Sequence, residues 1–203
     1  MKTKTKFDEI LERLHSTQLE LEQEIDRLLA EKREQFQYSL RLGKVVFGRS
    51  MRNWQRQQRT SLWQFLRKAP LTYILSAPII YGMIIPLALL DLSINFYQHI
   101  CFRIYGISLV CRADYIVIDR HHLAYLNAIQ KINCVYCGYG NGLIEFSREI
   151  LARTEQYWCP IKHAHRTFDP HSRTHKFFDY GDVDTWQSNL NSLRKDLNES
   201  SDK

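Results

Sequence analysis

The sequence predicts a mainly α-helical protein with an N-terminal coiled-coil helix, a Pro-kinked membrane segment or hairpin, and a small C-terminal helical domain that binds metal. Three observations carry this. Apolar residues recur at steps of four and three near the N-terminus, the 22 residues from Ala69 to Leu90 carry no charge, and three cysteines and a histidine follow in the order C-x2-C-x21-C-x3-H.

Residues 1–42 read as a coiled-coil or amphipathic helix. Phe7, Leu11, Leu14, Leu21, Ile25 and Leu28 mark its seam, and polar Gln18 takes the one remaining core register, where it would set pairing or partner number. Such a seam in residues 7–28 fits self-association or a protein partner. A long helix packing on its own protein has the same pattern.

Residues 43–68 read as a basic juxtamembrane segment, with Gly43 and Gly48 interrupting the helical pattern. No Asp or Glu occurs from Gln35 to Leu90, while Arg41, Lys44, Arg49, Arg52, Arg56, Arg59, Arg67 and Lys68 contribute eight positive charges. That exceeds the whole-chain charge of +6, so the basic character is local. Trp54, Trp63 and Phe65 lie among these residues, as in an interfacial anchor. The neighbour is an apolar run and not an aromatic stacking platform, which favours a membrane with anionic lipids over nucleic acid.

Residues 69–110 hold the membrane segment or segments. At 1.5 Å per residue, 22 helical residues reach about 33 Å, enough for the hydrocarbon core. Pro70, Pro78 and Pro86 kink such a helix. Leu92 to Val110 stays apolar but contains His99 and Arg103, so it either follows the interface or returns as the second arm of a hairpin. A single span puts the Cys/His region outside. A hairpin, the favoured alternative, keeps it cytoplasmic at a bacterial inner membrane. The apolar run begins far from the N-terminus, unlike a cleavable signal peptide.

In residues 111–168, helical patterns over Asp119 to Asn133 and Leu143 to Tyr157 flank Gly138, Gly140, Asn141 and Gly142. This predicts a helical hairpin with the CxxC in its turn. Residues 169–203 read as a polar linker and an amphipathic helix. Asp182 or Asp184 is its N-cap, Val183, Trp186, Leu190, Leu193 and Leu197 its stripe, and a Ser/Asp/Lys end follows.

The chemistry rests on Cys134, Cys137, Cys159 and His163, three thiols and an imidazole able to close a tetrahedral shell around Zn or Fe. With all four positions filled by protein, the metal would be structural. One strain is visible: a helix from Leu143 to Tyr157 is about 22 Å long, and residues 138–142 must double back by as much as about 17 Å to reunite the halves. The same hairpin suggests an alternative metal site of His121, His122, Cys159, His163 and His165, with CxxC left as a redox pair or turn. Two rival functions follow: a membrane thiol redox protein using Cys134 and Cys137 with Cys159 resolving, and a coiled-coil membrane scaffold. Five cysteines, an odd and scattered number, read as reduced thiols. Glu145, Glu149 and Glu155 read as a solvated helix face. No phosphate loop, nucleophile elbow or HExxH motif occurs, so no reaction is assigned.

Cys134-Val135-Tyr136-Cys137-Gly138-Tyr139 and Trp158-Cys159-Pro160 each resemble the cysteine knuckles of rubredoxin-like and zinc-ribbon domains. The resemblance covers about a dozen residues and implies a mononuclear iron or zinc site, with His163 where those domains place a fourth Cys. The stretch from Tyr97 to His165, with Asp114-Tyr115 and Arg153-Thr154-Glu155-Gln156-Tyr157-Trp158-Cys159-Pro160-Ile161-Lys162-His163, is similar to a group of bacterial membrane-associated proteins. That implies a setting and no activity.

Overall fold

The computed structural model describes residues 6–41, 44–165 and 167–199. Gly43, the Ser/Asp/Lys end and the side chains of Phe7 and Leu11, on which expectations rest, lie outside the described residues. The protein is mostly helical and divides into two compact units, Met1–Ser61 with His122–Asn127, and Leu62–His121 with Ala128–Lys203.

In the first unit, helix α1 is Lys6–Gln35, 30 residues without Gly or Pro. Charged partners one turn apart support it: Arg27 bonds Glu24 at 2.6 Å and Glu31 at 2.8 Å. Leu14, Leu21, Ile25 and Leu28 are all exposed, so the expected seam has no cover within the unit. Gln37 then takes a positive φ of 51° and turns the chain into strand β1, Tyr38–Arg41, which pairs antiparallel with β2, Lys44–Phe47. The expected boundary between residues 42 and 43 lies outside the described residues, between these two strands. The β-branched Val45 and Val46 and the tilted Tyr38–Phe47 ring pair, 5.7 Å apart, favour strands over a continued helix. Helix α2, Arg49–Gln57, follows; its buried Gln55 accepts the Ala124 N–H at 3.0 Å and ties residues 122–127 to this unit.

The second unit begins with α3, Leu62–Lys68, and is built around an apolar rod. The rod comprises α4 (Leu71–Gly82), α5 (Ile84–Tyr97), a π-turn (Gln98–Phe102) and α6 (Arg103–Tyr105). Pro86 lacks an N–H and crowds the carbonyl four residues back, at Gly82, which is where α4 ends. Met83 between the two helices keeps helical angles, φ −63° and ψ −11°, so the chain carries on forward. The reversal expected after Asp91 does not occur, and Leu92 to Tyr105 extends the rod. Gly106, at φ 68°, ends it, with the Ile107 N–H on the Phe102 carbonyl at 2.8 Å in a Schellman-type cap.

Helix α7, Ala128–Trp158, is one unbroken helix of 31 residues. This overturns the expected helical hairpin, and the reason lies in what its glycines touch. A Cβ on Gly142 would stand 2.6 Å from the Tyr115 carbonyl oxygen and 2.8 Å from Ile116 Cα; one on Gly138 would stand 3.1 Å from the Val117 oxygen. The segment 115–118 crosses α7 so closely that only glycine fits. Three glycines in a helix cost about 3 kcal/mol in propensity, an amount that tertiary packing offsets. The other expected helix, Asp119 to Asn133, is reduced to a 3-10 turn at Arg120–His122 and the first turns of α7.

The rod and α7 run parallel: Tyr136 Oη donates to the Ile80 carbonyl at 2.8 Å, Leu87 meets Gly140, and Tyr97 Oη bonds Thr154 Oγ1 at 2.9 Å. Between them lies the core of Ile94, Phe102, Ile107, Val110, Leu143, Phe146, Ile150 and Leu197. Helix α8, Val183–Glu199, is capped as expected by Asp182, whose carboxylate accepts the Thr185 N–H at 3.1 Å. Of its expected stripe, Leu197 is fully buried and Val183 stays exposed.

Candidate functional site

Among the described residues, no three His, Cys, Asp or Glu side chains gather as a metal site would require. The expected Cys134, Cys137, Cys159 and His163 centre is not assembled within one chain, because α7 is straight where a turn was needed. Cys137 and Cys159 are 22 residues apart along and just past one helix, about 33 Å, while thiolates on one zinc stand about 4 Å apart. The alternative centre fails similarly. Tyr115 lies against Gly142 and Val117 and Arg120 against Gly138, so the segment that leads to His121 runs toward the start of α7, away from Cys159 and His163. His122, counted with the first unit, and His165, beyond Cys159, are not joined to it as a ligand set.

Each half keeps a definite setting. Cys134 and Cys137 occupy the second and third turns of α7, half-buried and exposed respectively, past the free amides of the first turn that thiol redox motifs use. Near them Tyr81 hydrogen-bonds Asn133, and the Tyr81 and Tyr136 rings meet edge to face at 5.9 Å. Cys159 is pinned by a short bridge: the Phe178 N–H donates to Pro160 and the Lys162 N–H to Phe178, both at 2.8 Å. Partial burial, and then the Glu155 carboxylate, push the Cys159 thiol up, so it stays protonated in the absence of a cation.

Glu149, read from sequence as solvated, is instead the centre of a partly buried ion cluster. Its Oε1 accepts from Arg153 Nε at 2.9 Å and from Arg173 Nη2 at 2.6 Å. Arg153 also donates to the Ser108 carbonyl at 2.6 Å, and Arg173 to Gln156 Oε1 at 2.9 Å. Burial works against the charged carboxylate, yet the hydrogen bonds from Arg173 and Arg153 outweigh it and hold Glu149 below the usual carboxylate range. One carboxylate holds two guanidiniums, and the second bonds of those arginines go to protein oxygens, so the cluster clamps residues 108 and 171–178 onto α7. Sequence reasoning missed it because Arg173 lies 24 residues away, in a stretch read as linker.

The back of the rod is an uncovered apolar surface. Among the described residues, Leu71–Tyr105 is the one helix long and apolar enough to cross a membrane; its best window has a mean hydropathy of 2.0, with none of it buried. The face opposite α7 carries Ile85, Leu89, Leu92 and Phe96, each at least 60% exposed. The inward face turns polar from Asp91 on: its carboxylate takes Arg112 at 2.6 Å and Tyr139 Oη at 2.9 Å, while buried Gln98 accepts the Val110 N–H at 3.2 Å. Exposed Trp63 on α3, followed by Arg67 and Lys68, precedes the rod.

The chain matches no protein-family model, no curated protein and no solved structure.

Proposed function

We propose that this protein is a membrane-anchored scaffold, held at one leaflet of a bilayer by the back of its apolar rod and offering α1 to a protein partner. The uncovered line of large apolar side chains along the rod carries this reading: a bilayer accounts for its length and apolarity. Basic and aromatic residues before Leu71 suit the headgroup region of an anionic, cytoplasmic leaflet.

Geometry favours an in-plane or half-depth seat over a full crossing. The first rod residues bonded to α7 are Ile80 and Tyr81, so the part free of that helix, Leu71 to Ile79, is about 14 Å long against a hydrocarbon core of about 30 Å. A crossing would draw in the start of α7 and the segment beside it, with Lys131, Asp119 and Arg120. Each charge at mid-bilayer costs about 3 kcal/mol.

Vesicle flotation tests this. The purified chain floats with vesicles containing phosphatidylglycerol, and the triple substitution Leu89→Gln, Leu92→Gln, Phe96→Gln stays behind with an unchanged thermal midpoint. Flotation of the triple variant as efficiently as the parent sinks the reading.

A further inference from the structure

Helix α7 leaves one line of side chains uncovered through its central length. Cys137, Ile144, Leu151 and Trp158 follow one another at seven-residue steps, and all four are exposed. Half of a tetrahedral ligand set stands at each end of that line, Cys134 with Cys137 at one and Cys159 with exposed His163 at the other. Neither half closes a shell, and about 33 Å of rigid helix keeps them apart. Turning a second α7 end for end removes the obstacle. When Ile144 lies opposite Leu151 of a second copy, Cys137 falls opposite that copy's Trp158, one residue from its Cys159, and the mirror arrangement holds at the far end. The line is self-complementary, as a two-fold interface requires.

We infer that two copies pair antiparallel along α7, and that each end of the pair binds one zinc ion through Cys134 and Cys137 of one copy and Cys159 and His163 of the other. The two-fold axis passes between Ser147 and Arg148. Arg148 is already turned aside onto Asp169, 3.1 Å from its carboxylate, so it leaves the axis clear. A seven-residue line drifts by about 20° per repeat on a straight helix, which sets a shallow left-handed crossing. The three thiols lose their protons to solvent on binding, and neutral His163 supplies the fourth ligand. Three apolar side chains per copy make a small interface, so the metal is what holds the pair. This pairing stands whether or not the rod binds a bilayer.

Two full-length variants test it by complementation, with zinc alone as the probe. One carries Cys134→Ser and Cys137→Ser, the other Cys159→Ser and His163→Ala, and circular dichroism establishes that the chains used retain their helix. The parent holds about one zinc per chain in detergent after dialysis, and each variant alone holds none. An equal mixture of the two recovers about half the parent's zinc, because a mixed pair has one intact site. Zinc kept by either variant alone, a mixture that recovers none, or a parent without zinc overturns the inference. The count is insensitive to any separate association through α1.

Discussion

Helices α1 and α7 have almost the same length, 30 and 31 residues, and opposite reasons for being helical. α1 is written in good helix formers with charge pairs a turn apart and no glycine, and it keeps its apolar seam exposed. α7 contains three glycines and two asparagines, and its buried residues, from Gly138 to Gln156, are packed by the rod, the 115–118 segment and α8. One helix is sustained by local preference and the other by its neighbours. A glycine is therefore a breaker or a contact depending on what approaches it, and only the tertiary structure says which.

If that contrast is right, α7 should fail at its contacts and α1 should tolerate nearly anything. The largest effect is expected at Gly142, where the backbone of residues 115–116 cannot retreat: Gly142→Val should cost about 3 kcal/mol in denaturant titration of the full chain. Next comes Glu149→Gln, which leaves Arg153 and Arg173 without their shared carboxylate and should cost about 2 kcal/mol at neutral pH. This second change also predicts a pH signature. The folded carboxyl is held below its ordinary 4.5, so its stabilisation is complete above that pH and is lost as pH falls through the lowered value. The parent should lose more stability than the Gln variant on acidification below pH 4.5, and parallel curves would show that the cluster is not ionic. Smallest is Leu21→Glu on α1, expected to move stability by less than about 0.5 kcal/mol while abolishing capture of an α1 partner. A large loss of stability there would mean that α1 packs within its own chain.

What could be read from sequence follows the same division. The helical state of α1, the Asp182 cap and the apolar run from Ala69 were legible because period, cap chemistry and hydropathy are local. The forward course of the rod beyond Asp91 was not, since Asp91, His99 and Arg103 read as exits from a membrane, and the Arg112 and Tyr139 that partner Asp91 come from distant segments. The ligand residues were legible as types and spacing. Their separation was hidden in whether Gly138 to Gly142 turn, a question that the carbonyls of Tyr115 and Val117 decide. Glu149 was misplaced because its cations come from two different segments.

The parallel course of the rod and α7 also sets an order of events during synthesis. Tyr81 waits 52 residues for Asn133, Ile80 waits 56 for Tyr136, and Tyr97 waits 57 for Thr154. At about 5–20 residues per second, the rod is exposed for roughly 3–10 s before its cover has been made. Throughout that interval a nascent chain presents more than 30 apolar-rich residues to whatever surface is at hand. On the proposed reading, the back face meets lipid before α7 is complete, and the domain closes over a helix already seated.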